Sequence, residues 1–299
     1  MSDQRYKITV FTATYNRGQL LTRLHESLCR QQMREMEWLV VDDGSTDDTA
    51  AVVAGFIAAG NIDIRYQQQA HSGKHRAINR GVAQAQGELF FIVDSDDYLP
   101  DDALATIVAQ WDEVRDNPAM GGVAGLDGRV TGKRIGTGLP SDHIDCSAID
   151  IRNHYHVRGD LAEVFRTAVL RQYPFPEIEG ETFCPEDLIW NRVTQEHKLR
   201  YFNKIIYIAD YQRDGLSSRH VANRMDSPVA VCTHYCELNG YDIPVKQKAK
   251  AAINYWRFRA CVPRGKQVPK LPWYWSVVGW PAGIAMHRRD VSNRARQQQ

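Results

Sequence analysis

The chain has 299 residues, 43% hydrophobic and 24% charged, with a formal net charge of +1. That composition belongs to a soluble globular protein, one large α/β domain or a domain with a helical appendage, and it argues against a general polyanion or nucleic-acid binder. Six scattered cysteines without a CxxC pair point to free thiols. The polar start and the lack of any run of about 18 apolar residues predict neither signal peptide nor transmembrane helix.

In chain order, residues 7–13 form a strand and 20–32 an amphipathic helix, with Leu21, Leu24 and Leu28 at helical spacing. A short strand follows at 38–41, then a helix at 46–59 with acids in its first turn, where they complement the helix dipole. Strand 62–67, helix 74–85, strand 87–93 and helix 99–114 complete the first part. Strands separated by helices at this spacing imply a parallel sheet with right-handed crossovers. Beyond it come a Gly-rich, hairpin-like region at 121–138, a short strand at 162–166, a Pro-rich loop at 173–176, a helix from about Glu186 and a strand at 199–209. After Asn223 the βα pattern gives way to helices with aromatics. Three divisions follow: 1–110, 111–222, and a helical extension at 223–299.

The apolar run Phe90-Phe91-Ile92-Val93 ends abruptly in Asp94-Ser95-Asp96-Asp97. Three carboxylates at a strand end repel one another, and a divalent cation makes such a cluster tolerable. Two other strands end in Thr12-Ala13-Thr14-Tyr15-Asn16-Arg17 and Asp42-Asp43-Gly44-Ser45, and in an open α/β sheet these ends gather along the ligand-binding edge. Gly73-Lys74 lacks the P-loop spacing and no GxGxxG follows the first strand, which disfavours P-loop ATPases and NAD-type folds. What remains is a nucleotide site built from carboxylates, with a metal carrying the phosphate charge.

Taken together, ITVFTATYNR (8–17), VVDDGSTDDT (40–49), SGKHRAINRG (72–81) and IVDSDDYL (92–99) resemble family 2 glycosyltransferases in order and spacing, over about residues 6–220. Ala13 departs from the proline often found there. The resemblance implies a GT-A fold, α/β with a Rossmann-like, mostly parallel sheet and here a C-terminal helical, aromatic tail. It also implies inverting transfer from a nucleotide sugar, a UDP-sugar above all, with Mn²⁺ or Mg²⁺. By the same resemblance Thr12, Tyr15 and Arg17 line the base pocket, Asp43 accepts from the base, and Lys74 reaches the diphosphate or base edge. Asp94 and Ser95 face the donor, with Asp94 and Asp96 toward the metal and Asp97 shaping the turn. Arg219 is expected on phosphate, and His220 completes the metal shell. The catalytic base is Asp187 or Glu186, at a helix start marked by Pro185; the choice stays open. Asp160 stands between a turn role and a contact with sugar or acceptor. A nucleotidyltransferase and a non-catalytic sugar-nucleotide-binding protein are the competing classes.

The tail segment Trp273-Tyr274-Trp275-Ser276-Val277-Val278-Gly279-Trp280 lies among Lys266, Lys270, Arg288, Arg289, Arg294 and Arg296. Aromatics beside cations suit an anionic lipid interface. The expectation is a cytoplasmic enzyme peripheral on the inner membrane face through 266–296, acting on a polysaccharide or lipid-linked glycan. Packing on the domain or a homodimer contact is the alternative use of that tail.

Overall fold

A computed structural model describes residues 6–210 and 220–297. Four βα repeats open the chain: β1 (Tyr6–Thr14), α1 (Gly18–Cys29), β2 (Met36–Asp42), α2 (Thr49–Ala59), β3 (Asp63–Gln68), α3 (Lys74–Gln84), β4 (Gly87–Ile92) and α4 (Ala103–Asp112). Next come β5 (Met120–Arg129), β6 (His143–Cys146), α5 (Ala148–Asn153), β7 (Leu161–Arg166), α6 (Thr167–Leu170), α7 (Asp187–Glu196) and β8 (Lys198–Ala209). Four helices close the chain: α8 (His220–Asp226), α9 (Pro228–Gly240), α10 (Val245–Arg259) and α11 (Trp273–Gln297).

The eight strands form one sheet in the order β3-β2-β1-β4-β7-β5-β8-β6. The first four run parallel; β7 is antiparallel to β4 and β5, β5 and β8 are parallel, and β6 is antiparallel to β8. Thr14 lies opposite Asp42 and Asp42 opposite Gln68, so the polar ends of β1, β2 and β3 stand side by side. Register does this work: once Ile8 and Val10 sit in the core, their period-two neighbours bring the ends of adjacent strands level. Leu24 and Leu28 of α1 and Leu104, Ile107 and Trp111 of α4 join Val10, Trp38 and Phe91 in one buried cluster. Each such side chain contributes about 1.5–3 kcal/mol on burial.

The structure corrects two expectations. The helix expected at 46–59 starts at Thr49, so its acids precede the first turn. Asp47 is held there because its carboxylate accepts the Thr49 hydroxyl and N–H and, at 3.4 Å, the Gly18 N–H, which fixes a bend ahead of the helix. Residues 120–129 make one long strand between β7 and β8, and only the tight return from Gly128 to Arg134 is hairpin-like.

The chain divides into two compact units, Met1–Pro174 with Arg192–Gln212 and Phe175–Asn191 with Arg213–Gln299. The first holds the sheet. The second has its own core of Val231, Cys232, Tyr235, Ala251, Ala252, Tyr255, Phe258 and Leu271. Among the described residues no helix is long and apolar enough to cross a membrane. All six cysteines are free thiols.

Candidate functional site

Chain direction delivers Asn16 and Arg17, Asp43, Lys74 and Asp94–Asp97 to one edge of the first unit, each just after a parallel strand or at the start of the next helix. Asn16 takes φ +51, and its side-chain oxygen accepts the Thr46 N–H at 2.7 Å, while its own N–H meets the Ser45 hydroxyl at 2.8 Å. Asn tolerates this left-handed conformation, and the two bonds tie the β1 and β2 connections together. Gly44, at φ +87, lets the next turn pass close to the backbone of His71.

Asp43 is nearly fully buried and richly supplied with donors. One carboxylate oxygen accepts Ser72 N–H at 2.9 Å and the Gln69 amide at 2.7 Å; the other accepts Gly73 N–H at 2.8 Å and lies 2.9 Å from His71 Nδ1. It therefore organises the loop before α3. His71 in turn stacks on the exposed ring of Tyr15 at 4.2 Å, which gives an aromatic surface beside that carboxylate. Thr12 is wholly buried and accepts the Trp38 indole N–H at 3.0 Å, so its side chain belongs to the interior. Its neighbour Thr14, which sequence reasoning passed over, has a buried hydroxyl with no partner among the described residues.

At the end of β4, one oxygen from each of Asp94, Asp96 and Asp97 lies within 4.8 Å of the others. Lys74 contacts Asp94 at 2.6 Å and Arg17 contacts Asp96 at 2.9 Å. Ser95 between them is buried. Asp97 is held from β8: the Tyr207 hydroxyl donates to one oxygen and the Asp210 N–H donates to the other at 2.7 Å. Burial pushes the Asp97 carboxyl up to about 6, against those two bonds, and the charges of Asp94 and Asp96 add to the rise. An oxygen-seeking divalent ion fits this donor set, because three carboxylates converge with, among the described residues, two cations against them.

Sequence reasoning also missed Asp127, which ends the apolar stretch of β5 and is almost fully buried, with one oxygen unpartnered among the described residues. Burial, then the charges of Asp160, Asp97 and Asp94, raise its carboxyl to about 7, while Arg152 opposes them. No face pattern marks it, because β5 is buried on both faces from Met120 to Gly128. Asp160, exposed, precedes β7.

Glu186 and Asp187 stand in the second unit at the start of α7, where the Glu186 carbonyl accepts the N–H groups of Ile189 and Trp190. Nearby Glu181 is buried and accepts Val229 and Ala230 N–H at 2.7 and 2.9 Å, which caps α9. His220 opens α8 in the same unit; burial, Arg224 and Arg257 lower its pKa, and Asp187 raises it. Arg219 lies outside the described residues.

Comparison with known proteins adds the following. Residues 9–149 match the family model described as Glycosyl transferase family 2. The poly(ribitol-phosphate) beta-N-acetylglucosaminyltransferase TarS of Staphylococcus aureus is 27% identical over 187 residues, 61% of this chain and 30% of that protein. The GalNAc(5)-diNAcBac-PP-undecaprenol beta-1,3-glucosyltransferase of Campylobacter jejuni is 28% identical over 206 residues, 68% of this chain and 64% of that one. The chain thus spans less than two thirds of the length of either relative. The structure of S. aureus TarS 1-349 in complex with UDP-GlcNAc superposes with TM-score 0.61 at 22% identity, covering 86% of this chain and 74% of that one. The mannosyltransferase PcManGT from Pyrobaculum calidifontis, with GDP-Man and Mn²⁺, gives 0.56 at 18%, covering 86% and 73%.

Proposed function

We propose, for a chain that belongs to glycosyltransferase family 2 and has the GT-A fold, metal-dependent inverting transfer of a sugar from a UDP-type donor to a hydroxyl of a polysaccharide or lipid-linked oligosaccharide. The observation that carries this reading is the convergence of Asp94, Asp96 and Asp97 within 4.8 Å at the end of β4. Asp94 and Asp96 would hold Mn²⁺ or Mg²⁺, which when bound stabilises negative charge on the departing diphosphate.

Arg17 and Lys74 are the cations within reach of the same diphosphate. Tyr15, stacked on His71, offers its ring to the base. The Asp43 carboxylate suits a ring N–H because it is a pure acceptor, and it reaches one by exchanging a side-chain donor such as Gln69 for the base. Asp187 or Glu186 takes the proton from the attacking hydroxyl on the face opposite the leaving group. Arg219 is proposed on the diphosphate, and His220 as a further ligand of the metal.

The acceptor class is supported by the two relatives, whose names specify a poly(ribitol-phosphate) and an undecaprenol-linked glycan. Peripheral attachment to the inner membrane face is supported by α11. Gly279 and Gly283 seat one side of that helix against α10, where a Cβ would lie 2.6 Å from the backbone oxygens of Ala252 and Ile253. Trp273, Val277 and Trp280 therefore face outward, 78%, 66% and 54% exposed, and exposed Arg288 and Arg289 continue the outward surface. A stripe that passes from tryptophan to arginine favours an anionic lipid interface over a homodimer contact.

A screen of nucleotide sugars by thermal shift with Mn²⁺ tests the donor, because a ligand that binds the native state raises its stability. UDP-sugars should raise Tm more than GDP-sugars; no shift with any nucleotide sugar contradicts the proposal.

A further inference from the structure

Beyond the acidic edge, two connections of the first unit carry a surplus of positive charge. Residues 128–141 and 151–159 contain Arg129, Lys133, Arg134, Arg152 and Arg158 and no carboxylate. Lys133, Arg134 and Arg158 are exposed, and none of the three has an ion pair among the described residues.

These connections are locked to each other. The Thr137 N–H donates to the Arg158 carbonyl at 3.0 Å, and the Arg158 N–H donates to the Thr137 hydroxyl at 3.1 Å. Gly136 at φ +82 and Gly159 at φ +94 meet at their Cα atoms; a Cβ on Gly136 would lie 1.8 Å from the Arg158 oxygen. The Arg152 guanidinium donates to the carbonyls of Val157 and Gly159, bracing the second connection from inside, and His156 is held at φ +55. The first connection turns tightly, with Arg129 N–H on the Lys133 carbonyl at 2.8 Å and Ile135 N–H on the Asp127 carbonyl at 2.7 Å. A backbone fixed at this many points leaves only the cationic side chains to order on binding.

The locked pair also borders the chemistry. Asp127 immediately precedes it and Asp160 immediately follows it, and the charges of Asp160, Asp97 and Asp94 all act on the Asp127 carboxyl. A neutral glycan needs hydroxyl partners and aromatic faces, not a group of like charges that repel one another. A donor diphosphate already has Arg17 and Lys74 on the far side of β4. The cations here are left for a second anion.

We infer that the interlocked connections around Lys133, Arg134 and Arg158 form an acceptor subsite for a phosphate-bearing glycan. This deepens the glycosyltransferase reading and rests on it. The phosphate belongs either to a polymer of phosphodiesters or to the diphosphate of a lipid carrier; both present the same group to guanidinium and ammonium donors.

The test uses the full chain and three probes: a poly(glycerol phosphate) oligomer, a polyprenyl diphosphate in neutral detergent micelles, and dextran of matched length. The wild type should bind at least one phosphate probe and not dextran. Combined Lys133→Gln, Arg134→Gln and Arg158→Gln should weaken that binding about tenfold, the sum of three exposed ionic contacts. Lys133→Glu, on the exposed turn, gives a single-site variant if the combined one folds poorly, and it should weaken binding in the same direction. Oligomer binding alone assigns a polymeric phosphodiester, and micelle binding alone a lipid carrier. Binding of neither probe, or equal binding by wild type and both variants, overturns the inference. UDP titrated with Mn²⁺ in parallel separates the two ideas: its failure to bind the wild type removes the donor assignment, whereas UDP binding without phosphate-probe binding removes only this subsite.

Discussion

In the first unit, the carboxylates that matter stand at the ends of parallel strands: Asp43 after β2 and Asp94–Asp97 after β4. In the second unit, a helical body, the acids of interest sit at a helix start, Glu186 and Asp187, and its outward surface is carried by α11. Strand ends are gathered by topology, because every parallel strand delivers its carboxyl end to one edge. Groups on helices are gathered by packing, which depends on side-chain shape across many residues. The first kind of site therefore tolerates loss of a neighbour but not of its central charge, and the second kind is defined one residue at a time.

The strongest way to break that contrast is Asp96→Ala. It should lower Mn²⁺-dependent donor hydrolysis and transfer by about 10²–10³-fold, as expected when charge stabilisation at the leaving group is lost. Normal hydrolysis by this variant would mean that the acidic turn is structural. For the helix start, transfer assays on Asp187→Asn and Glu186→Gln should find one variant down by about 10²–10⁴-fold, the typical worth of a general base. Donor binding should persist in both. Full transfer by both would reduce that helix start to dipole complementation by ordinary first-turn acids.

Those two sites also mark how far the sequence could be read. The alternation of strand and helix through Asp112 was legible because Leu21, Leu24 and Leu28 or Phe90 to Val93 declare their period directly. The acidic turn was legible for the same reason: an apolar strand that stops in three aspartates sets carboxylates side by side. Thr12 was harder, since its hydroxyl is spent on Trp38, a residue 26 positions away that only tertiary packing identifies. Asp127 was harder still. It lies in a Gly-rich segment where a hairpin and a strand look alike, and its burial follows from being threaded between β7 and β8.

Asp127 sharpens the comparison within the sheet, because here a strand-end carboxylate lacks the donors that Asp43 enjoys. Its carboxyl is raised from 3.8 to about 7, so the proton is held more tightly in the folded state than in the unfolded one. The resulting stability is complete below about pH 4 and is lost as pH rises through about 7. Asp127→Asn should therefore match the wild type near pH 4 and exceed it by about 2 kcal/mol at pH 8 in denaturant titrations, a value set below the full shift to allow for relaxation. A wild type as stable as the variant at pH 8 would mean that the carboxylate is well solvated.

The smallest effect on folding is expected on α11. Trp273→Ser with Trp280→Ser removes one exposed and one half-exposed ring, so stability should change by only about 1 kcal/mol. Binding to vesicles containing anionic lipid should nonetheless fall sharply in a flotation assay. Unchanged flotation would return the helix face to some other use, the homodimer contact first.

Calorimetric titration of UDP into the wild type and into Asp96→Ala, each with Mn²⁺ and then with EDTA, tests the central claim most directly. Mn²⁺ should tighten UDP binding to the wild type by at least about tenfold, equivalent to about 1.4 kcal/mol. Asp96→Ala should remove that gain. UDP binding that is equally tight in EDTA, or a gain from Mn²⁺ that survives in the variant, would contradict that claim.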